Sequence, residues 1–112
     1  MKPFDVFNWQ PTGWPEPHPC VIVSHPSRVA SKPEVNVLMC STKRAARKPE
    51  AHEVVLDTAD GMDWPTLCKC DLLHAVSKTD LKSRRGAVSE ERRKQLVRAS
   101  IAALGWGEVL SA

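Results

Sequence analysis

Apolar positions along the chain fall in short runs separated by stretches rich in proline, glycine and charge. The runs are Val6 to Trp9, Cys20 to Ser24, Val35 to Cys40, Glu53 to Leu56, Thr66 to Cys70 and Leu72 to Val76. Runs of this length, rich in β-branched residues and bounded by turn residues, predict strands. Cys20-Val21-Ile22-Val23 and Val37-Leu38-Met39-Cys40 are continuously apolar, the pattern of strands buried on both faces. Gln10 to Pro19 carries four of the prolines, whose missing amide donors and fixed φ disfavour a ladder. It reads as an ordered loop joining two strands.

The period changes once, near the C-terminus. Leu96, Val97, Ile101 and Leu104 repeat at helical spacing, which predicts a helix from about Glu90 to Leu104 with one apolar stripe. Ser89 is placed to cap it, Glu90 and Glu91 complement the positive end of its dipole, and Gly105 ends it. Arg92, Arg93, Lys94 and Arg98 are expected to stay wet, and residues past Trp106 to fray. Asp60-Gly61 marks a turn in which glycine takes positive φ cheaply. In the run after it, Thr66, Cys68 and Cys70 share one face and Leu67, Lys69 and Asp71 the other. The whole predicts a mainly β fold with one helix packed on it.

With 112 residues, 42% apolar and 26% charged, the chain suits one domain over residues 1–112. Met1-Lys2-Pro3-Phe4-Asp5 lacks the apolar core of a signal peptide, and no run approaches the length of a membrane span. The expectation is a cytoplasmic protein with reduced cysteines. Cys20, Cys40, Cys68 and Cys70 include no C-x2-C pair, so buried core thiols are expected rather than a metal site. The charge of +3 permits phosphate partners without requiring them. The cations cluster at Lys43, Arg44, Arg47 and Lys48, at Lys78, Lys82, Arg84 and Arg85, and on the helix. Each cluster is read either as a nucleic-acid contact or as a solvated face.

Phosphate loops, dinucleotide fingerprints, zinc-protease motifs and nucleophile elbows are absent, and the chemistries they carry fall away. The remaining His, Lys, Ser, Thr and Asp residues suffice for RNA cleavage in which the 2′-OH attacks its own phosphorus. That reaction asks the protein only to take one proton, give another and stabilise an anion.

The order of segments resembles the MazF/PemK/Kid toxins of type II toxin-antitoxin systems over nearly the whole chain. Asp5-Val6-Phe7 is similar to the family's opening "GDV", with Phe4 where glycine is usual. His18-Pro19-Cys20-Val21-Ile22-Val23-Ser24 resembles "RRPVLVVS", and Val37-Leu38-Met39-Cys40-Ser41-Thr42 resembles "VVAPITS". Asp60 to Asp71 resembles "DGL...SVVLCDQ", and Val88-Ser89-Glu90-Glu91 resembles "LSPEE". The resemblance implies an SH3-like barrel closed by a C-terminal helix, a homodimer, metal- and cofactor-free cleavage of single-stranded RNA, and a cognate antitoxin peptide that fills the RNA groove.

The resemblance also implies where to look for the site. An arginine before the second strand's proline and a threonine ending the third strand are the family's catalytic pair; here those places hold His18 and Ser41, with Thr42 adjacent. Lys69-Cys70-Asp71 resembles the "RCD" of some members. His18 offers an imidazole for proton exchange, Ser41 and Thr42 offer hydroxyls, Lys69 a point cation without arginine's fork, and Asp71 a base or an orienting carboxylate. Trp14 reads equally as a base-stacking platform or a lid over the core, with Lys43, Arg44 and Arg47 as phosphate contacts. The replaced arginine keeps a second reading open, a binding module of the same fold that no longer cleaves. A gyrase-poison role, as in the related CcdB group, is disfavoured because Gly105 to Ala112 lacks that group's terminal tryptophan arrangement.

Overall fold

The computed structural model describes residues 1–111. Seven strands form in chain order: β1 (Asp5–Trp9), β2 (His18–Ile22), β3 (Glu34–Met39), β4 (Glu53–Leu56), β5 (Thr66–Lys69), β6 (His74–Ser77) and β7 (Leu81–Ala87). Three helices accompany them, α1 (Pro26–Ser31), α2 (Glu90–Ala103) and α3 (Trp106–Ser111). Five strands make an antiparallel sheet in the order β6-β3-β2-β1-β7, and β4 and β5 form a separate antiparallel ribbon. The ribbon closes over one face of the sheet through a bridge between Cys40 and Cys68 and a Ser41 amide donating to the Leu67 carbonyl at 2.9 Å. The mainly β architecture expected from the sequence, a small SH3-like barrel with a C-terminal helix packed on it, is the one observed.

The continuous apolar runs explain the layering. Alternation along β1, β2 and β3 sends Val6, Val21, Leu38 and Cys40 to a core shared with Leu56, Cys68, Cys70 and Leu96, so one sheet face is covered by the ribbon and α2. The opposite face sends out Trp9, Cys20, Ile22, Val35 and Val37, which pack with Val29 of α1, Val76 and Leu81. Burial on both faces is what an unbroken apolar strand demands. All four cysteines are free and buried, and burial pushes the Cys20 thiol up to about 12.

Several elements depart from the sequence expectation. α1 was hidden in a segment with only one buried apolar residue, Val29; His25 caps it by accepting from the Ser27 amide at 3.1 Å, and Pro26 sits in its first turn. β7 reads Leu-Lys-Ser-Arg-Arg-Gly-Ala and buries only Leu81 fully; an edge strand of this kind carries charge on both sides and leaves no alternation to read. Leu72 and Leu73 are exposed and precede β6 rather than opening it. Trp106–Ser111 form α3 instead of fraying, and Ala112 lies outside the described residues.

At α2 the cap differs from the expectation. Ser89 makes no side-chain cap; its amide donates to Asp60 Oδ1 at 3.0 Å. Asp60 Oδ2 accepts from Arg92 at 2.6 Å and from the Asp57 amide at 3.0 Å, while Asp57 accepts from Arg92 at 2.9 Å. Arg92, expected to be wet, is therefore the bolt between helix and barrel, and Arg93 is drawn to the Val88 carbonyl and lies 5.3 Å over the Phe4 ring. Of the apolar stripe only Leu96 is buried; Val97 is 45% exposed.

Two backbone positions are decisive. Phe4 has φ 68°, the left-handed region that favours glycine, which accounts for glycine being usual there in the family it resembles. Gly61 follows the Thr58–Asp60 turn with φ 91°, and a Cβ there would lie 2.8 Å from the Arg85 carbonyl oxygen. Gly86 approaches Gly61 from the other side. This close backbone contact docks the turn on β7. Gly61→Ala is expected to destabilise the fold by about 2 kcal/mol or more through combined strain and clash. Asp60→Asn should cost about 2 to 4 kcal/mol by breaking a buried ion pair. Denaturant unfolding of both variants checks these values.

Candidate functional site

Beside the open edge between ribbon and sheet lies a groove of about 220 Å³. β1 contributes Asn8, β2 contributes Pro19, and the segment after β3 contributes Ser41 and Thr42. Thr66, Trp64 and Asp63 form another wall, Glu16 and Pro17 of the first loop a third, and Arg85 of β7 the floor beside Asn8.

Backbone ties hold the hydroxyl segment. The Cys40 amide donates to the Pro19 carbonyl at 2.8 Å and the Ala45 amide to that of Pro65 at 2.8 Å. The buried Thr66 hydroxyl donates to the Ser41 carbonyl at 2.7 Å, with that of Lys43 at 3.2 Å. Ser41 Oγ accepts from the Lys43 amide at 3.2 Å, which leaves its own proton free.

Arg85 is equally well fixed. Its Nε donates to the Gly61 carbonyl at 3.1 Å, Nη1 to Asn8 Oδ1 at 3.2 Å, and Nη2 lies 3.1 Å from Asp63 Oδ2. The residue belongs to a basic cluster visible in the sequence, but nothing there singled it out, because its place depends on a bulge in β7. Val6 lies opposite Gly86 and Asn8 opposite Lys82, so β7 carries two extra residues, with Ser83 at φ 49°. Trp64 is another groove residue that the sequence did not disclose.

The candidates read from the sequence divide. Ser41 and Thr42 meet in the groove. His18 begins β2 on the sheet face of Trp9 and Cys20, packs edge-on against Trp14 with centroids 4.8 Å apart, and buries an Nδ1 with no partner. Trp14 also lies 5.0 Å from Trp9 and is packed on the second core; of its two readings, the lid is the one the packing supports. Lys43 and Arg44 are exposed beyond Ser41 and Thr42.

Arg47 and Lys69, expected as phosphate contacts, are instead committed to Glu53. Arg47 donates to both carboxylate oxygens at 2.6 and 2.8 Å, and Lys69 donates to Oε2. The physical reason is that Glu53 is buried on β4, directly opposite Lys69, and a buried carboxylate must be paired. Asp71 follows Cys70 outside the groove lining. Glu50, His52 and Glu53 lie close enough together to share a cation, but the two cations on Glu53 already satisfy its oxygens.

Arg47, against the opposing effect of burial and helped by Lys69, holds the Glu53 carboxyl well below the usual carboxylate range, and Arg92, with the Ala59 amide, lowers that of Asp57. A carboxylate whose folded pKa is depressed stabilises the fold above its unfolded value of about 4, and that stability is lost as pH falls toward the folded value.

A family model described as "PemK-like, MazF-like toxin of type II toxin-antitoxin system" matches residues 6–104. No curated protein matches the sequence significantly. Among solved structures, an endoribonuclease in complex with its cognate antitoxin from a mycobacterial species is similar at 20% identity and TM-score 0.80, over 94% of this chain and 95% of that one. Mycobacterium tuberculosis toxin MazF-mt6 is similar at 20% identity and TM-score 0.76, over 90% of this chain and 96% of that one. The MazE-MazF complex from Deinococcus radiodurans gives 11% identity and TM-score 0.75, over 94% and 95%. At such identities the likeness is one of fold.

The depressed carboxylates generate a prediction for acid stability. The melting temperature is expected to be level above about pH 5 and to fall progressively below about pH 4. Glu53→Gln, melted across the same series, should start lower and decline less steeply; an unchanged decline would remove Glu53 as a source of the acid sensitivity.

Proposed function

Since the chain belongs to the PemK-like, MazF-like toxin family of type II toxin-antitoxin systems, we propose that it is an endoribonuclease toxin that cleaves single-stranded RNA without a metal or cofactor and is silenced by a cognate antitoxin peptide. The observation that carries the reading is the groove. Three hydroxyls, one cation and two carboxylates line it in a chain of that family. RNA supplies its own nucleophile, so the groove needs to orient a phosphate, stabilise its extra negative charge and pass protons.

In this reading Ser41 and Thr42 hold the scissile phosphate, and the Thr66 tie keeps their segment in register with β5. His18 sits at the same strand ends as Ser41, since Met39 pairs with Cys20 and Cys40 bonds to Pro19. Its imidazole packs against Trp14 on the other face of the sheet. Lys69 and Arg47 keep Glu53 charged and the ribbon wall in place, leaving Lys43 and Arg44 as exposed contacts for the RNA backbone. Asp71, outside the groove lining, takes no part in this reading. The packing of His18 away from the groove favours one alternative, a module that binds RNA or the antitoxin without cleaving.

The uncovered stripe of α2 supports a second copy of the chain as partner. Leu73, Val97, Ile101 and Trp106 line one apolar hollow, and Val109 and Leu110 beyond it are 72% and 82% exposed. Apolar surface of this extent calls for cover, and a twofold interface would bury it on both copies at once. No helix among the described residues is long and apolar enough to cross a membrane; we place the protein in the cytoplasm, where its RNA substrate is.

Purified protein incubated in EDTA with a long unstructured RNA should give discrete fragments, and Ser41→Ala with Thr42→Val should slow their appearance by roughly 10²-fold. Intact RNA that shifts in a gel would favour the non-cleaving module, and RNA neither cut nor shifted would overturn the reading. For the partner face, light scattering is expected to give a dimer mass for the native chain and a monomer mass for Val97→Asp.

A further inference from the structure

Four arginines make ion pairs, and three of them face carboxylates that are themselves tied into the fold. Arg47 binds buried Glu53, Arg84 binds buried Asp5, and Arg92 binds Asp60 and Asp57. Arg85 differs. Its two hydrogen bonds go to neutral acceptors, the Gly61 carbonyl and the Asn8 side-chain amide. Among the described residues its only carboxylate partner is Asp63, whose side chain is 69% exposed. A guanidinium has five N–H donors, so three are left beyond those two bonds. They sit on a group that is 20% exposed, in the groove that also holds Ser41 and Thr42.

The fold spends backbone strain to put it there. Ser83 occupies the left-handed region at φ 49° within the two-residue bulge, and Gly61 and Gly86 are pressed together so that the Gly61 carbonyl can reach Nε. Bulges re-aim side chains, and this one turns Arg85 toward Asn8 on the neighbouring strand. A planar fork fixed at two of its nitrogens is preorganised for a tetrahedral anion.

We propose that Arg85 is the cation that clamps the RNA phosphate in the groove, and that Asp63 is a removable counter-ion that holds the fork ready until RNA displaces it. The inference deepens the reading of the chain as an RNA-cleaving toxin and rests on it. It supplies from β7 the guanidinium that His18 cannot supply from β2. Trp64, next to Asp63 and lining the same groove, is then placed to stack the base attached to that phosphate.

The test measures binding and cleavage separately. Affinity for a mixed-sequence 2′-O-methyl oligonucleotide, which cannot be cleaved, is titrated across a salt series for the native chain, Arg85→Gln, Arg85→Lys and Asp63→Asn. Cleavage of unmodified RNA is followed in parallel. Arg85→Gln is expected to weaken binding about tenfold and to lower the log–log salt slope by about 0.7, one phosphate contact on a single strand. Arg85→Lys should keep the slope while losing cleavage rate, because the charge remains and the fork does not. Asp63→Asn, at an exposed position that does not threaten folding, should tighten binding several-fold at low salt. If the native chain cleaves RNA while Arg85→Gln retains its affinity and slope, the clamp is wrong and the reading of the function stands. If Asp63→Asn binds no tighter, the counter-ion role is wrong even should Arg85→Gln fail to fold. A native chain that neither binds nor cleaves overturns both.

Discussion

The carboxylate of Asp60, fully buried, is the point on which the rest of the structure depends. It closes the Thr58–Asp60 turn by accepting from the Asp57 amide, receives the first amide of α2 through Ser89, and takes a guanidinium from the helix through Arg92. A buried carboxylate tolerates no missing partner, because an unpaired charge in a low-dielectric interior costs several kcal/mol. The constraint therefore fixes the turn and the start of α2 together. Gly61 extends it by one residue, since the turn it completes lies against the backbone of Arg85 and Gly86. One turn thus sets both how the helix sits on the barrel and where the groove finds its arginine.

Charge in this protein is largely internal currency. Of the cations that invite a nucleic-acid reading, Arg47 and Lys69 neutralise Glu53, Arg92 neutralises Asp60 and Asp57, Arg84 pairs with Asp5, and Arg93 lies over Phe4. A net charge of +3 therefore says little about the field at the groove. What matters is which cation lacks a buried counter-ion, and that is decided by three-dimensional pairing. The site is compact because its hydroxyls, its guanidinium and its two acidic side chains converge from the segment after β3, β5 and the segment before it, β7 and the first loop.

Much of the fold was legible in the chain. Cys20 to Val23 and Val37 to Cys40 had to be central strands, since four apolar residues in succession need cover on both faces, and the two cores on either side of the sheet provide it. Asp60-Gly61 had to be a turn, and the period of Leu96, Val97, Ile101 and Leu104 had to be a helix. α1 and β7 were not legible, because each buries a single residue completely, Val29 and Leu81, and a periodicity needs at least two points. In the site, Ser41 and Thr42 were readable from the resemblance at the end of the third strand. Arg85 was not, being one of two adjacent arginines in a polar run.

The sequence by itself determined the strand-rich class, the final helix, the left-handed turn at Gly61 and the family, because these rest on local patterns that near neighbours in the chain create. Only the tertiary structure decided which cations are spent on buried carboxylates, which face of the sheet His18 joins, and which arginine faces the groove. Those outcomes depend on cross-strand register and on a bulge in β7. Both are set by pairing between residues such as Asn8 and Arg85 that lie far apart in the chain, and no local pattern records such a pairing.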